Sequence, residues 1–229
     1  LSRLGADKID SGEMPVIFSP EVAARFAHDV VGALDGDEVF KGSSFLGDKL
    51  GQQVAAPLFT LVDDPTLARR TGSEQFDGEG VATRRNVLFE SGVLKMFLYD
   101  CYTARKAGTA TTANARRGYS SLPGVSAHQL VLQPGTTPNA EIFSNVERGL
   151  YVTRLMGGRA STINGDYSRG ARGALIENGK LTQPVQEVTM AGNMLQMLAD
   201  IEALGDQAIW YGSSAAPPLR FKLLAVSGR

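Results

Sequence analysis

The 229-residue chain carries 23 Lys and Arg against 24 Asp and Glu, a formal net charge of −1. So even a balance leaves no electrostatic footprint for nucleic acid or for an acidic membrane surface. With 43% hydrophobic and 21% charged residues, the chain can bury a core, and no apolar run nears the ~18 residues that a membrane span needs.

Cys101 is the only cysteine, so no intrachain disulfide can form and a reducing, cytoplasmic setting is expected. Residues 1–15 lack the basic start and apolar centre of a secretion signal. The chain begins at Leu1 rather than Met, and an upstream part is expected. No linker divides residues 1–229, which read as one domain.

The first strong element is a helix over 19–35. Ser19 is a natural N-cap and Pro20 suits the first turn. Val22, Phe26, Val30 and Leu34 recur every four residues beside Ala23, Ala27 and Val31, and Gly36 is the expected stop. Residues 41–56 read as a loop with a short helix. A buried strand follows from Leu58 to Val62, ended by Asp63, Asp64 and Pro65, and 66–80 form a loop. A hairpin runs from Asn86 to Phe89, turns at Glu90-Ser91-Gly92, and returns over Val93 to Tyr99.

Residues 107–127 have no apolar period and read as a long functional or mobile loop. His128 to Leu132 is the next strand, turned by Pro134-Gly135. A helix is expected over 138–148, with Thr137 as cap and Gly149 as stop. Leu150 to Leu155 is a strand, and 157–173 are polar and Gly-rich. A second hairpin pairs Ala174–Ile176 with Lys180-Leu181 across Glu177-Asn178-Gly179. VLFESGVL and ALIENGKL thus share a pattern, better explained by shared turn chemistry than by duplication. Residues 193–204 read as a helix capped by Asn193, and Leu219 to Val226 as a closing strand. Strands outnumber helices and come in hairpin order, so the fold class is α+β: strand-rich, with a largely antiparallel sheet and a few flanking helices.

Several chemical motifs fail on spacing. GALIENGKL has five residues between its glycines where a phosphate loop needs four, and Leu181 stands where Ser or Thr would hold magnesium. No G-x-S-x-G stretch supplies a nucleophile elbow. Cys101 with His128 is a weak nucleophile pair, since a lone cysteine at a strand end is usually a small buried hydrophobe. Arg84-Arg85 and Arg116-Arg117 read as solvated loop charges, with contacts to a partner or an extended substrate as the alternative.

Residues 26–37, FAHDVVGALDGD, raise the question of metal. A catalytic zinc takes three protein ligands and an open position. The chain has only His28 and His128. Asp29 follows His28 as a general base would, but Gly32 and Ala33, one turn on, cannot bind metal. His28 therefore reads as a core-edge or interface histidine.

FAHDVVGALDGD, FKGSSFLGDKLGQQVAAPLFTLVDDP and FDGEGVATRRNVLFESGVLKMFLYDCYTARKAG together resemble the carboxyl-terminal part of the TldD/PmbA family, also named modulator of DNA gyrase. LMGG, TINGDYSRGARGALIENGKLTQPVQEVTMAGN and PPLRFKLL extend the resemblance over residues 15–226. The resemblance implies an α+β fold with extensive sheet and an additional amino-terminal domain, which is expected to be absent from this chain. The TldD branch carries H-E-x-x-x-H and a late cysteine as a zinc peptidase site. On that pattern His28 matches the first histidine, Asp29 the glutamate and Ala33 the second histidine, while QAIWYGSSAAPP holds no cysteine. The degenerate positions His28, Asp29 and Ala33, with GDYSRGARG and MAGN, resemble the PmbA (TldE) branch instead.

That branch implies a non-catalytic subunit of a cytoplasmic metallopeptidase that processes unfolded or short peptides, with no metal or cofactor in this chain. Zinc is expected in a TldD-like catalytic partner forming a heterodimer with it, and a homodimer is the alternative assembly in isolation. An extended peptide would bind by strand addition, with Gly157 to Gly173 as the expected place of close backbone approach. The alternatives are a stand-alone zinc metallopeptidase with unusual ligands, in which Asp29 takes the proton of a zinc-bound water, and a regulator of gyrase or toxin–antitoxin targets.

Overall fold

The structure, a computed structural model, describes residues 5–157 and 160–229. In chain order the elements begin with β1 (Gly12–Phe18), α1 (Pro20–Gly32), α2 (Gly36–Phe40), β2 (Leu61–Asp63), β3 (Asn86–Glu90) and β4 (Val93–Leu94). There follow α3 (Cys101–Ala107), β5 (Ala115–Arg116), β6 (Gly124–Val125), β7 (Leu130–Leu132) and β8 (Arg148–Met156). The chain continues with β9 (Asp166–Glu177), β10 (Lys180–Asn193), α4 (Met194–Ala199) and β11 (Ile201–Leu204). It ends with β12 (Ile209–Tyr211), β13 (Ser214–Ala216) and β14 (Leu219–Ser227).

The strand-rich α+β expectation holds, but the sheets are mixed rather than largely antiparallel. One sheet runs β1-β8-β9-β10-β14 and closes because β14 also pairs with β1, giving a five-stranded barrel with β11 appended to β14. Its β1–β8 pair is parallel. The second sheet has the order β12-β13-β7-β2-β3-β4, and its β13–β7 pair is parallel. Parallel neighbours need connections longer than a hairpin turn, which is why the hairpin order of the sequence missed them. Barrel closure brings β8 and β9 so near at Gly173 that an added Cβ would lie 1.7 Å from the Tyr151 carbonyl oxygen. Only glycine fits there.

α1 lies between the two sheets. Its core stripe buries Val22, Phe26 and Val30. The Phe26 ring meets Phe18 at 6.0 Å, Phe221 at 5.4 Å and Tyr167 at 6.2 Å, all edge to face, the arrangement that aromatic quadrupoles favour. Ser19 caps the helix as expected, its Oγ accepting from Val22 N. Gly36 is not the stop. The helix ends at Gly32 with Ala33 as its C-cap, and Gly36 opens α2 with Asp35 as N-cap.

Other boundaries also move. The returning strand over Val93 to Tyr99 is only β4, Val93–Leu94. Residues 138–148 do not form a helix: a single 3-10 turn spans Asn139–Glu141. The apolar spacing there is real, since Ile142 and Val146 pack with Ile17, Ile176 and Ala203 in a small second core, but a turn-rich segment satisfies it. The 193–204 helix stops at Ala199, and Ile201–Leu204 pairs with β14 instead. The 107–127 loop contains a short β5–β6 hairpin.

The two resembling octapeptides lie in different sheets. Both turns place two residues at positive φ, Ser91 and Gly92 in one and Asn178 and Gly179 in the other, which is the shared turn chemistry.

α3 has clear end signals. Asp100 accepts from Thr103 N at 2.7 Å, Thr103 Oγ1 reaches back to Asp100 N, and Gly108 closes the helix at φ 66°. Cys101 is therefore the first residue of a helix and half-buried, not a buried hydrophobe at a strand end. Removing a buried capping carboxylate strands amide donors. Asp100→Ala is expected to lower unfolding free energy by about 2 kcal/mol, read as a shifted urea midpoint with an unchanged slope.

Candidate functional site

The polar stripe of α1 opposite Phe26 faces solvent through a cleft of about 880 Å³, lined by Arg25, His28, Asp29 and Gly32 of the helix and by Arg169 and Ser214 from the two sheets. The stripe follows from helical periodicity, which sets residues three and four apart on one face.

Successive residues of this helix are tied to different sheets. His28 Nε2 lies 2.6 Å from Ser214 Oγ on β13. Asp29 accepts two hydrogen bonds from Arg169 Nη2 on β9, at 2.9 and 2.8 Å. Strand alternation buries Tyr167, Arg169 and Ala171 on one face of β9, and Arg169 is only 2% exposed. A guanidinium that deep needs a charge partner, and Asp29 supplies it. Arg169 Nη1 donates to the Gly157 carbonyl at 3.2 Å.

Burial raises the pKa of Asp29 above its ordinary value of 3.8, and the Arg169 charge pulls it back down. Burial lowers that of His28 below 6.5, opposed by the charges of Asp29 and Asp63 and assisted by Arg116. Although His28 is an exposed residue, it sits in the wall of the cleft, and the surrounding protein atoms displace enough water to disfavour the imidazolium.

The residues present do not fit a family-type zinc. Ala33, five positions after His28, lies about 140° further round an ideal helix and is 0% exposed. Its carbonyl accepts Ser44 Oγ at 2.6 Å. Gly32 faces the cleft instead, and its nearest neighbour is a Thr162 methyl. Both Asp29 oxygens are held by Arg169, and His28 Nε2 is engaged by a serine. Among the described residues, no group of three or more His, Cys, Asp or Glu could hold a metal ion.

The other singled-out residues lie apart. His128 is buried, with Nδ1 2.8 Å from Glu74 and Nε2 2.9 Å from the Ala113 carbonyl; it belongs to a polar network under the second sheet and makes no pair with Cys101. At the centre of that network, Asp63 is 0% exposed. It accepts from His128 N, Gln129 N and Asn114 Nδ2. Arg84 reaches the Thr111 carbonyl, while Arg85 and Arg116 stand near Asp64 and Glu74 with their side chains about half exposed, as solvated loop charges do. The stretch from Gly157 to Gly173 includes 158 and 159, which lie outside the described residues. Its latter part is β9, paired with β10 from Asp166 and with β8 from Gly170 onward, so strand addition there has little free edge to use.

Arg169 and Ser214 escaped sequence reasoning. The alternation in DYSRGARG was the available signal for an inward arginine, while nothing local to YGSSAAPP marks Ser214.

Residues 11–228 match the PmbA/TldA metallopeptidase C-terminal domain. The chain is 38% identical over 209 residues to "Metalloprotease PmbA" of Escherichia coli O157:H7, covering 90% of this chain and 44% of that protein. It is 34% identical over 211 residues to a metalloprotease TldD homologue of Haemophilus influenzae, covering 91% and 44%. The crystal structure of TldE from Thermococcus kodakarensis superposes with a TM-score of 0.91 at 27% identity, over 99% of this chain and 53% of that one. The chain thus spans about half the length of these relatives.

Proposed function

Because the chain belongs to the PmbA/TldD metallopeptidase family, we propose that it is the PmbA/TldE-type, zinc-free half of a two-subunit peptidase. In this reading a TldD-like partner carries the zinc and the hydrolytic step, on an extended peptide, in the cytoplasm. This chain would contribute structure to the shared assembly and one wall of the peptide path.

The Asp29–Arg169 pair is the observation that carries the reading. A general base must present a free carboxylate oxygen to the water it deprotonates. Here a guanidinium occupies both oxygens, and replacing that contact would break a buried ion pair. Ala33 adds to this, since a buried methyl group supplies no ligand. The helix that could have served a metal instead fastens the two sheets together. No helix among the described residues is long and apolar enough to cross a membrane.

Zinc content tests the reading. The untagged chain, given excess zinc and desalted, is expected to retain far less than one zinc per molecule. Peptidase activity is expected only when a TldD-like subunit is added. Stoichiometric zinc that disappears in His28→Ala, together with peptide hydrolysis by the chain alone, would establish the stand-alone peptidase reading instead.

A further inference from the structure

The zinc-free reading leaves one pair of groups in the cleft unused. Ser214 Oγ and His28 Nε2 are 2.6 Å apart, within the range at which a base takes a hydroxyl proton. Both line the same cleft of about 880 Å³. Ser214 begins β13, which is held between β12 and β7, and the residue is 4% exposed, so its hydroxyl is fixed by sheet rather than by loop. Among the described residues that hydroxyl has no other hydrogen-bond partner than His28. His28 is exposed and lines the cleft, where a carbonyl compound can approach.

We infer that His28 and Ser214 form a nucleophile–base pair that accepts acyl groups from esters with good leaving groups. Ser214 Oγ attacks the ester carbonyl carbon while its proton passes to His28 Nε2. The bond between that carbon and the leaving oxygen then breaks, and the departing oxygen takes the proton from His28. The serine is left esterified and one alcohol or phenol is released. A water molecule, giving its proton to His28, attacks the acyl-serine in turn, releasing the acid as the proton returns to Ser214. No oxidant, metal or further reactant is consumed. Amides differ because their nitrogen leaves poorly, so the activity is distinct from peptide hydrolysis and does not rest on the partner proposed above.

The charges acting on His28 are those of Asp29, its helix neighbour, Asp63 from the second sheet, and Arg116 from the β5–β6 hairpin, and Glu21, Arg25, Asp35, Glu38 and Arg169 line the same cleft. Burial outweighs the two carboxylates and favours the neutral ring, which is the form that accepts a proton. Acylation is therefore expected to rise with pH as His28 loses its proton, with a midpoint below the ordinary 6.5.

The test is p-nitrophenyl acetate with the 229-residue chain. The expected result is a burst of p-nitrophenolate approaching one per chain, with the acetyl group mapped to Ser214 by peptide mass. Ser214→Ala is expected to abolish the burst, and His28→Gln to slow it by about 100-fold or more. The adduct map on the native chain needs no variant and decides independently of whether variants fold. Acetylation confined to lysines or the amino terminus would overturn the assignment, as would a burst that persists at full rate in His28→Gln.

Discussion

Arg169→Met is expected to destabilise the chain by about 3–5 kcal/mol, because removing one member of a buried ion pair leaves the other charge unpaired. The Arg169 side chain is 1% exposed and that of Asp29 11%, so solvent cannot screen the orphaned carboxylate. Methionine keeps much of the apolar stem and removes the guanidinium, which separates loss of charge from loss of volume. The double variant Asp29→Leu with Arg169→Met is expected to recover most of the loss, since an apolar replacement of a buried pair is often close to neutral.

The same variant has a pH signature. Burial already raises the pKa of Asp29 above 3.8 against the pull of Arg169. A carboxyl with a raised folded pKa makes its full contribution below the unfolded pKa and loses it as pH rises through the folded value. Without Arg169 the pKa rises further. The deficit of Arg169→Met is therefore expected to be small below about pH 4 and largest at neutral pH. Urea unfolding at both pH values checks this, and a deficit independent of pH would assign the loss to packing.

The second large effect is expected at Asp63. Asp63→Ala strands two backbone amides, His128 N and Gln129 N, and one N–H of Asn114 Nδ2, whose other N–H still donates to the Ser126 carbonyl. Each buried donor left unmade costs roughly 1–3 kcal/mol, and with partial relaxation the total is about 4 kcal/mol. Asp63→Asn keeps an acceptor for the two backbone donors but sets one amide donor against Asn114 Nδ2. Asn114 cannot simply turn its amide over, because its Oδ1 already accepts from Asn86 Nδ2 at 3.0 Å. The asparagine variant should therefore lose about half as much as the alanine variant. Matched urea titrations measure both.

How much of this was legible in the sequence depended on distance along the chain. α1 was readable because its cap, its proline and about three turns of apolar spacing lie within one short window. β8 and β14 were readable as apolar runs. α3 has seven residues, too few for a period, although Asp100, Thr103 and Gly108 mark its ends. The helix expected over 193–204 failed at Asp200 because Ile201–Leu204 gains a strand partner in β14, and long-range pairing overrode local preference. β9 was hidden by its own buried arginine, which makes an inward face look polar. The site divided in the same way. His28 and Asp29 could be singled out from their helix. Their partners lie 186 and 140 residues away, and no local pattern connects residues so far apart.

Fastening adjacent residues of one helix to separate sheets also makes local opening separable. Amide hydrogen exchange resolves such openings as cooperative units with their own free energies. Loosening the His28 contact should speed exchange in β12 and β13 while β9 stays protected. Loosening the Asp29 contact should do the reverse, letting the end of β9 near Arg169 exchange while β13 holds. One turn of helix would thus act as two latches, each released without the other.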